Sequence, residues 1–226
     1  MAEPTKKPAP VVTGSPAAGC AIFVTGAVGI LVLIAWFVYA GFRQSREIKE
    51  FTAETAQTLT LAAPAPEMLA AVQGKIATYA GAIGSGTAAT LTLTVDELNA
   101  LLGGDPSLAG IRGMIRVDGI DTTIRTTVSL PVKPLLSQQR YLNGVIEMTP
   151  DIHKDKGLHL ATSSISVPGH TVSQGFSDLY KQMDFLDDMI LKGYREDAKT
   201  SAVIKQTTAV SCAASAVTLR FAPAGR

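Results

Sequence analysis

The chain has no HExxH array, no Cys-x-x-Cys pair and no Gly-x-Ser-x-Gly turn. It therefore carries none of the local signatures of a zinc hydrolase, a thiol metal site or a nucleophile elbow. It has no basic run either. Taking Lys6, Lys7 and Glu3 away from totals of 20 basic and 19 acidic residues leaves 18 of each beyond residue 42. That balance excludes the phosphate-tracking stripe a nucleic-acid partner needs, and it offers no patch for anionic lipid. Aromatic residues are scarce, at 6%. Cysteine is scarcer still: Cys20 opens an apolar run and Cys212 sits in a segment that reads as a closing strand, so neither is expected to be bridged. Ala17-Ala18-Gly19-Cys20 has the outline of a lipoprotein cleavage box. In such boxes the apolar region precedes the cysteine; here it follows, which leaves a plain thiol.

The remaining absence says the most. Residues Cys20 to Phe42 contain no charged side chain. As a helix this stretch spans roughly 34 Å, enough for a ~30 Å hydrocarbon core. A single charge at its centre would cost about 2.5 to 3.5 kcal/mol on insertion scales. Trp36 and Tyr39 suit the headgroup interface at its far end. Val38-Tyr39-Ala40 has the small-x-small form of a cleavage site, but the run exceeds the apolar region of a signal peptide, so a retained signal anchor is predicted. The Pro-rich tail reads as disordered and cytoplasmic. That orientation places the rest outside the cytosol at an inner or plasma membrane, against a positive-inside count to which Arg43, Arg46 and Lys49 contribute. Ala21, Thr25 and Gly29 form a small-xxx-small row that would let two such helices approach, making a second copy a candidate partner.

Beyond the anchor the periodicity changes several times. Ile48, Phe51, Thr55 and Leu59 form a thin helical stripe with no Gly or Pro before Pro64, which predicts a helical stalk. After Pro64-Ala65-Pro66, a helix is predicted with Val72, Ile76, Tyr79 and Ile83 on one face. It ends at Gly81, Gly84 and Gly86, which make a turn; a dinucleotide loop would need a strand before the glycines and a helix after them. Leu91 and Leu93 alternate with Thr as a strand, and Thr94 followed three residues later by Glu97 reads as a capping box. From Gly110 to Val167 the period is two, giving four antiparallel strands with hairpin turns at Asp118-Gly119 and over 151–157. Val172, Phe176, Leu179, Met183, Leu186 and Ile190 then predict one long helix over 171–197, with Asp187 and Asp188 on its solvated face. Two strands, over 208–212 and 216–221, close the chain. The predicted organisation is a tail over 1–19, a transmembrane helix over 20–42, a stalk over 43–65, and an α+β domain over 66–226. In that domain a curved antiparallel sheet packs on the long helix.

Candidates for chemistry are few. His153, His159 and His170 are the only groups suited to acid-base work at neutral pH. Asp151, His153 and Asp155 alternate near a turn and could in principle hold a divalent ion, although a solvated hairpin is the better reading of them. No catalytic residue and no cofactor is assigned.

The segment Leu93-Thr94-Val95-Asp96-Glu97-Leu98-Asn99-Ala100-Leu101-Leu102 follows a single anchor. After it come a meander, the strand Gly157-Leu158-His159-Leu160, and Ile165-Ser166-Val167-Pro168 before a helical segment. This order resembles bacterial YpmS-like and YceB-like envelope proteins over roughly Thr90 to Phe221. The resemblance implies a small relative of the tubular lipid-binding domains, in which a long helix packs in a curved sheet and an apolar groove holds acyl chains. It implies Leu98, Leu102, Phe176, Leu179, Met183 and Leu186 as groove lining, and it brings no catalytic motif. Three functional readings follow. The first is a membrane-anchored envelope protein that binds a lipid or other apolar ligand without catalysis. The second is a structural or scaffold component acting through protein contacts, and the third a hydrolase or metal enzyme using His153 or His170.

Overall fold

The computed structural model describes residues 16–133, 138–183 and 185–223. Most of the tail predicted over 1–19, with Lys6 and Lys7, lies outside the described residues; 16–19 belong to the first helix. That helix, α1 (Pro16–Phe51), contains a stretch long and apolar enough to cross a membrane, Phe23–Phe51, within which an 18-residue window has a mean hydropathy of 2.3. The chain divides into two compact units between Gln44 and Ser45.

The second unit, Ser45–Arg226, is α+β. Helix α2 (Pro66–Gly84) leads into β1 (Ala89–Thr94) and α3 (Val95–Gly104). Thr94 Oγ1 accepts from Glu97 N–H while the Glu97 carboxylate accepts from Thr94 N–H, so the predicted capping box is present in both directions. A 3-10 turn, Pro106–Ile111, precedes the antiparallel sheet β2 (Ile115–Ile120), β3 (Ile124–Val132), β4 (Arg140–His153) and β5 (Gly157–Ser166), in that spatial order. Three helices follow: α4 (Gln174–Gln182), α5 (Phe185–Glu196) and α6 (Ala198–Gln206). Strands β6 (Ala209–Ala213) and β7 (Ala216–Phe221) then join β1 in a second antiparallel sheet of order β1-β7-β6. The turn between β6 and β7 is Ala214-Ser215, both with positive φ (50° and 64°), as a two-residue type I′ hairpin requires.

Three sequence expectations are corrected. The helical stalk over 43–65 ends at Phe51, and residues 52–65 run on as non-helical chain that bends at Glu54 and Thr55. Thr52 donates its hydroxyl back to Ile48 O at 2.6 Å, and Ala53 exchanges both backbone hydrogen bonds with Tyr141 on β4. Gln57 N–H is then held by Ser129 Oγ (2.9 Å), and Leu59 is buried. These residues, with Ile48 and Phe51, belong to the folded unit, which therefore begins about twenty residues before the predicted boundary at 66.

The long helix over 171–197 is two helices, α4 and α5. The division lets each dock separately. Phe176 on α4 packs edge-on against Phe51, with ring centroids 4.8 Å apart, and stacks on Tyr180 at 4.3 Å. Helix α5 instead docks on the edge of β5. The predicted hairpin turn at Asp118-Gly119 is a bulge within β2, where the Asp118 carboxylate is occupied by Arg116 and by the Thr127 hydroxyl. The chain reverses after Ile120 instead.

Candidate functional site

The feature that stands out in the second unit is a cavity of about 190 Å³. Leu98, Leu101 and Leu102 of α3 form one wall, and Leu91 and Leu93 of β1 with Val217 and Leu219 of β7 form another. The four-stranded sheet contributes Ile124, Met148, Pro150, Leu158 and Leu160, and α5 closes over it with Ile190, Leu191 and Tyr194. Period-two and helical patterning aim these side chains inward; what the patterning did not provide is enough bulk to fill the space between them.

Among the described residues the lining is hydrocarbon apart from Thr126, Tyr194 and Thr200, and all three hydroxyls have partners in the protein. Thr126 donates to Ile146 O at 2.8 Å, Thr200 to Tyr194 O at 2.7 Å, and Tyr194 to Asp105 Oδ2 at 3.1 Å. Burial, and then the Asp105 carboxylate beside it, raise the Tyr194 phenol well above its ordinary range, so this group stays a neutral donor. With no unspent polar group, the walls can recognise only an apolar guest. An engineered cavity of about 150 Å³ with such walls stays dry and binds benzene.

Helix α5 is held over the cavity by a polar clasp. Asp187 is fully buried; its Oδ1 accepts from Leu160 N–H on β5 at 2.8 Å, and its Oδ2 lies 2.8 Å from Arg195 Nη2. The latter is an ion pair whose angle falls short of hydrogen-bond geometry. Arg195 also donates to Leu158 O at 3.2 Å and reaches Asp188 at 3.4 Å. The solvated role predicted for Asp187 is therefore wrong; Asp188, at 66% side-chain exposure, fits it. On the other side of α5, Gly193 lies so near Ser107 that a Cβ would meet its carbonyl oxygen at 2.6 Å.

Of the six residues implied as groove lining, Leu98 and Leu102 line the cavity. Phe176 and Leu186 are buried in the core away from its wall, and Leu179 and Met183 are 41% and 57% exposed. The reason lies in the break between α4 and α5: α4 turns its Phe176 toward Phe51 and leaves Leu179 and Met183 outside. The residues missed, on β1, β5, β7, α5 and α6, had a signal only as ordinary inward-facing positions.

The histidines do not assemble with this cavity. His153 and His159 face each other on the β4–β5 hairpin with ring centroids 6.2 Å apart, and His170 is exposed beyond β5. Among the described residues no group of three or more His, Cys, Asp or Glu is placed to hold a metal ion. Cys20 and Cys212 are both free thiols, and burial raises the pKa of Cys212. Ala21, Thr25 and Gly29 are exposed on α1, with open space where a Gly29 side chain would project. Comparison with family models, with curated proteins and with solved structures finds no match to this chain.

Proposed function

We propose that this chain is a single-pass membrane protein whose Ser45–Arg226 unit, displayed outside the cytosol, holds the hydrocarbon part of a lipid or another apolar ligand and performs no chemistry on it. The observation that carries the reading is the 190 Å³ cavity whose hydroxyls, among the described residues, are all engaged within the protein. Hydrocarbon walls around a space of this size lack partner atoms, which an apolar guest would supply. Its lack of any free polar group selects chain over headgroup. Anchorage complements this use: α1 keeps the unit beside a bilayer, the source of such chains.

The test is lipid retention. Full-length protein purified from bacterial membranes is extracted with organic solvent, and the released lipid is compared with that from Leu98→Trp and Leu102→Trp variants, in which the new indoles occupy the cavity. The reading expects a lipid retained by the wild type and lost from both variants; equal lipid in all three would refute it. For sidedness, alkaline phosphatase fused after Arg226 is expected to be active, and an inactive fusion in a stable protein would reverse the orientation.

A further inference from the structure

Strand β4 is longer than its neighbour β3. Its first part, Arg140 to Met148, pairs with β3, whereas Thr149 to His153 pairs only with β5 and leaves its other edge free. Strand β6 approaches β4 closely, and this free stretch is the edge open to it. Yet no backbone hydrogen bond joins the two among the described residues, and they belong to separate sheets. Two features of the sequence explain the unsealed seam. Pro150 has no N–H to give to a ladder. On β6, the alternation fixed by the Ala214-Ser215 hairpin turns the N–H and C=O groups of Val210 and Cys212 away from β7, onto the open edge of their sheet.

The seam borders the wall of the cavity. Val210 and Cys212 stand opposite Leu219 and Val217, and so share a face with two lining residues. Across the gap Pro150 is itself a lining residue, and Ile152 follows it on the same face. The edges of the four-stranded sheet are treated differently. Asn99 closes β2 by bonding both N–H and C=O of Val117 at 2.8 Å, and the Asp187–Arg195 pair closes β5. Breaking those contacts would expose buried polar groups, whereas parting β4 from β6 breaks no ladder bond.

We propose that the β4–β6 seam is the portal by which an apolar chain enters and leaves the cavity, while α5 stays fixed. The proposal rests on the ligand-holding reading above. Its test uses the native Cys212 and a new thiol across the seam, Ile152→Cys, in a full-length Cys20→Ser background reconstituted in phosphatidylcholine nanodiscs. Oxidation staples the seam. Spin-labelled stearate is delivered from phosphatidylcholine vesicles, and the immobilised signal in its resonance spectrum reports loading. The oxidised protein is expected to load at least about tenfold more slowly than the reduced one and to reach the same plateau. Equal rates overturn the portal alone, since loading itself would have been seen; a wild type that never immobilises the label overturns the ligand-holding reading and the portal with it. Should the disulfide fail to form, hydrogen exchange of the wild type decides. The amides of Val210 and Cys212 are expected to exchange at least about tenfold faster than that of Ser211, which faces β7, and equal protection rejects the seam.

Discussion

Replacing Asp187 tests the clasp that holds α5 over the cavity. The Asp187→Ala substitution leaves Leu160 N–H without its acceptor and leaves Arg195, whose side chain is only 22% exposed, without its buried counter-ion and with only the exposed Asp188 beside it. Removing one partner of a buried pair costs about 3–5 kcal/mol. The Asp187→Asn variant keeps an oxygen for Leu160 N–H and loses only the charge, so its cost is expected at about 1–3 kcal/mol. For a unit of this size the urea slope is about 1–3 kcal/mol per molar, so the alanine variant moves the midpoint by about 2 M and the asparagine variant by about 1 M. Pulse proteolysis of the full chain in detergent measures both, because it reads the folded unit directly and needs no fluorophore beyond Trp36 in the anchor. A paired apolar replacement, Asp187→Leu with Arg195→Met, removes both charges together and is expected to recover most of the loss. A shift below about 0.3 M for Asp187→Ala, or equal shifts for the alanine and asparagine variants, would refute the reasoning.

Other consequences are as direct. Thr94→Ala removes one arm of the capping box and is expected to lower stability by about 1 kcal/mol, measurable as a urea midpoint. Burial works to raise the Glu97 carboxyl, but Lys75 and the Thr94 cap together outweigh it and hold its pKa below the ordinary 4.5. Their contribution is therefore complete above that value and is lost as pH falls through Glu97's depressed folded value, so Glu97→Gln should flatten the acid limb of a stability-pH curve. Gly157→Ala should prevent folding of the β4–β5 hairpin against α6, because the position has φ +73° and a Cβ would lie 2.3 Å from Ile204 O. Protease resistance of that variant equal to the wild type's would contradict this. Finally, a chain cut at Pro66 loses Ile48, Phe51 and Leu59 from the core and is expected to be unstable, whereas one starting at Ser45 should fold.

What was legible in the sequence is what rests on short-range pattern. The Thr94–Glu97 box needs only a spacing of three, and the alternation Ile124, Thr126, Val128, Leu130 marks buried positions that the structure shares. The helix long and apolar enough to cross a membrane is a matter of length and missing charge. Long-range partners were not legible. Asp187 looked solvated because Arg195 is eight residues away, outside the helix spacings that normally pair, and because the Leu160 amide belongs to a strand far back in the chain. Residues 52–62 carry no helix breaker; the edge of β4 at Tyr141 and the side chains of Arg140, Ser129 and Asn143 hold their first part out of the helix. Helical periodicity identified an apolar stripe on α4 but not which part of it docks, and so Leu179 and Met183 were assigned to a groove they do not reach. The cavity itself is a deficit of volume among residues from distant elements, which no local pattern records.

Native mass spectrometry of the full-length protein, released from detergent micelles in the gas phase, addresses the central claim most directly. Wild-type chain is expected to carry one lipid or similar apolar molecule that survives release, at a ratio of about one to one. A bare chain, observed from membranes that contain such lipids and under conditions that preserve the fold, would contradict the account.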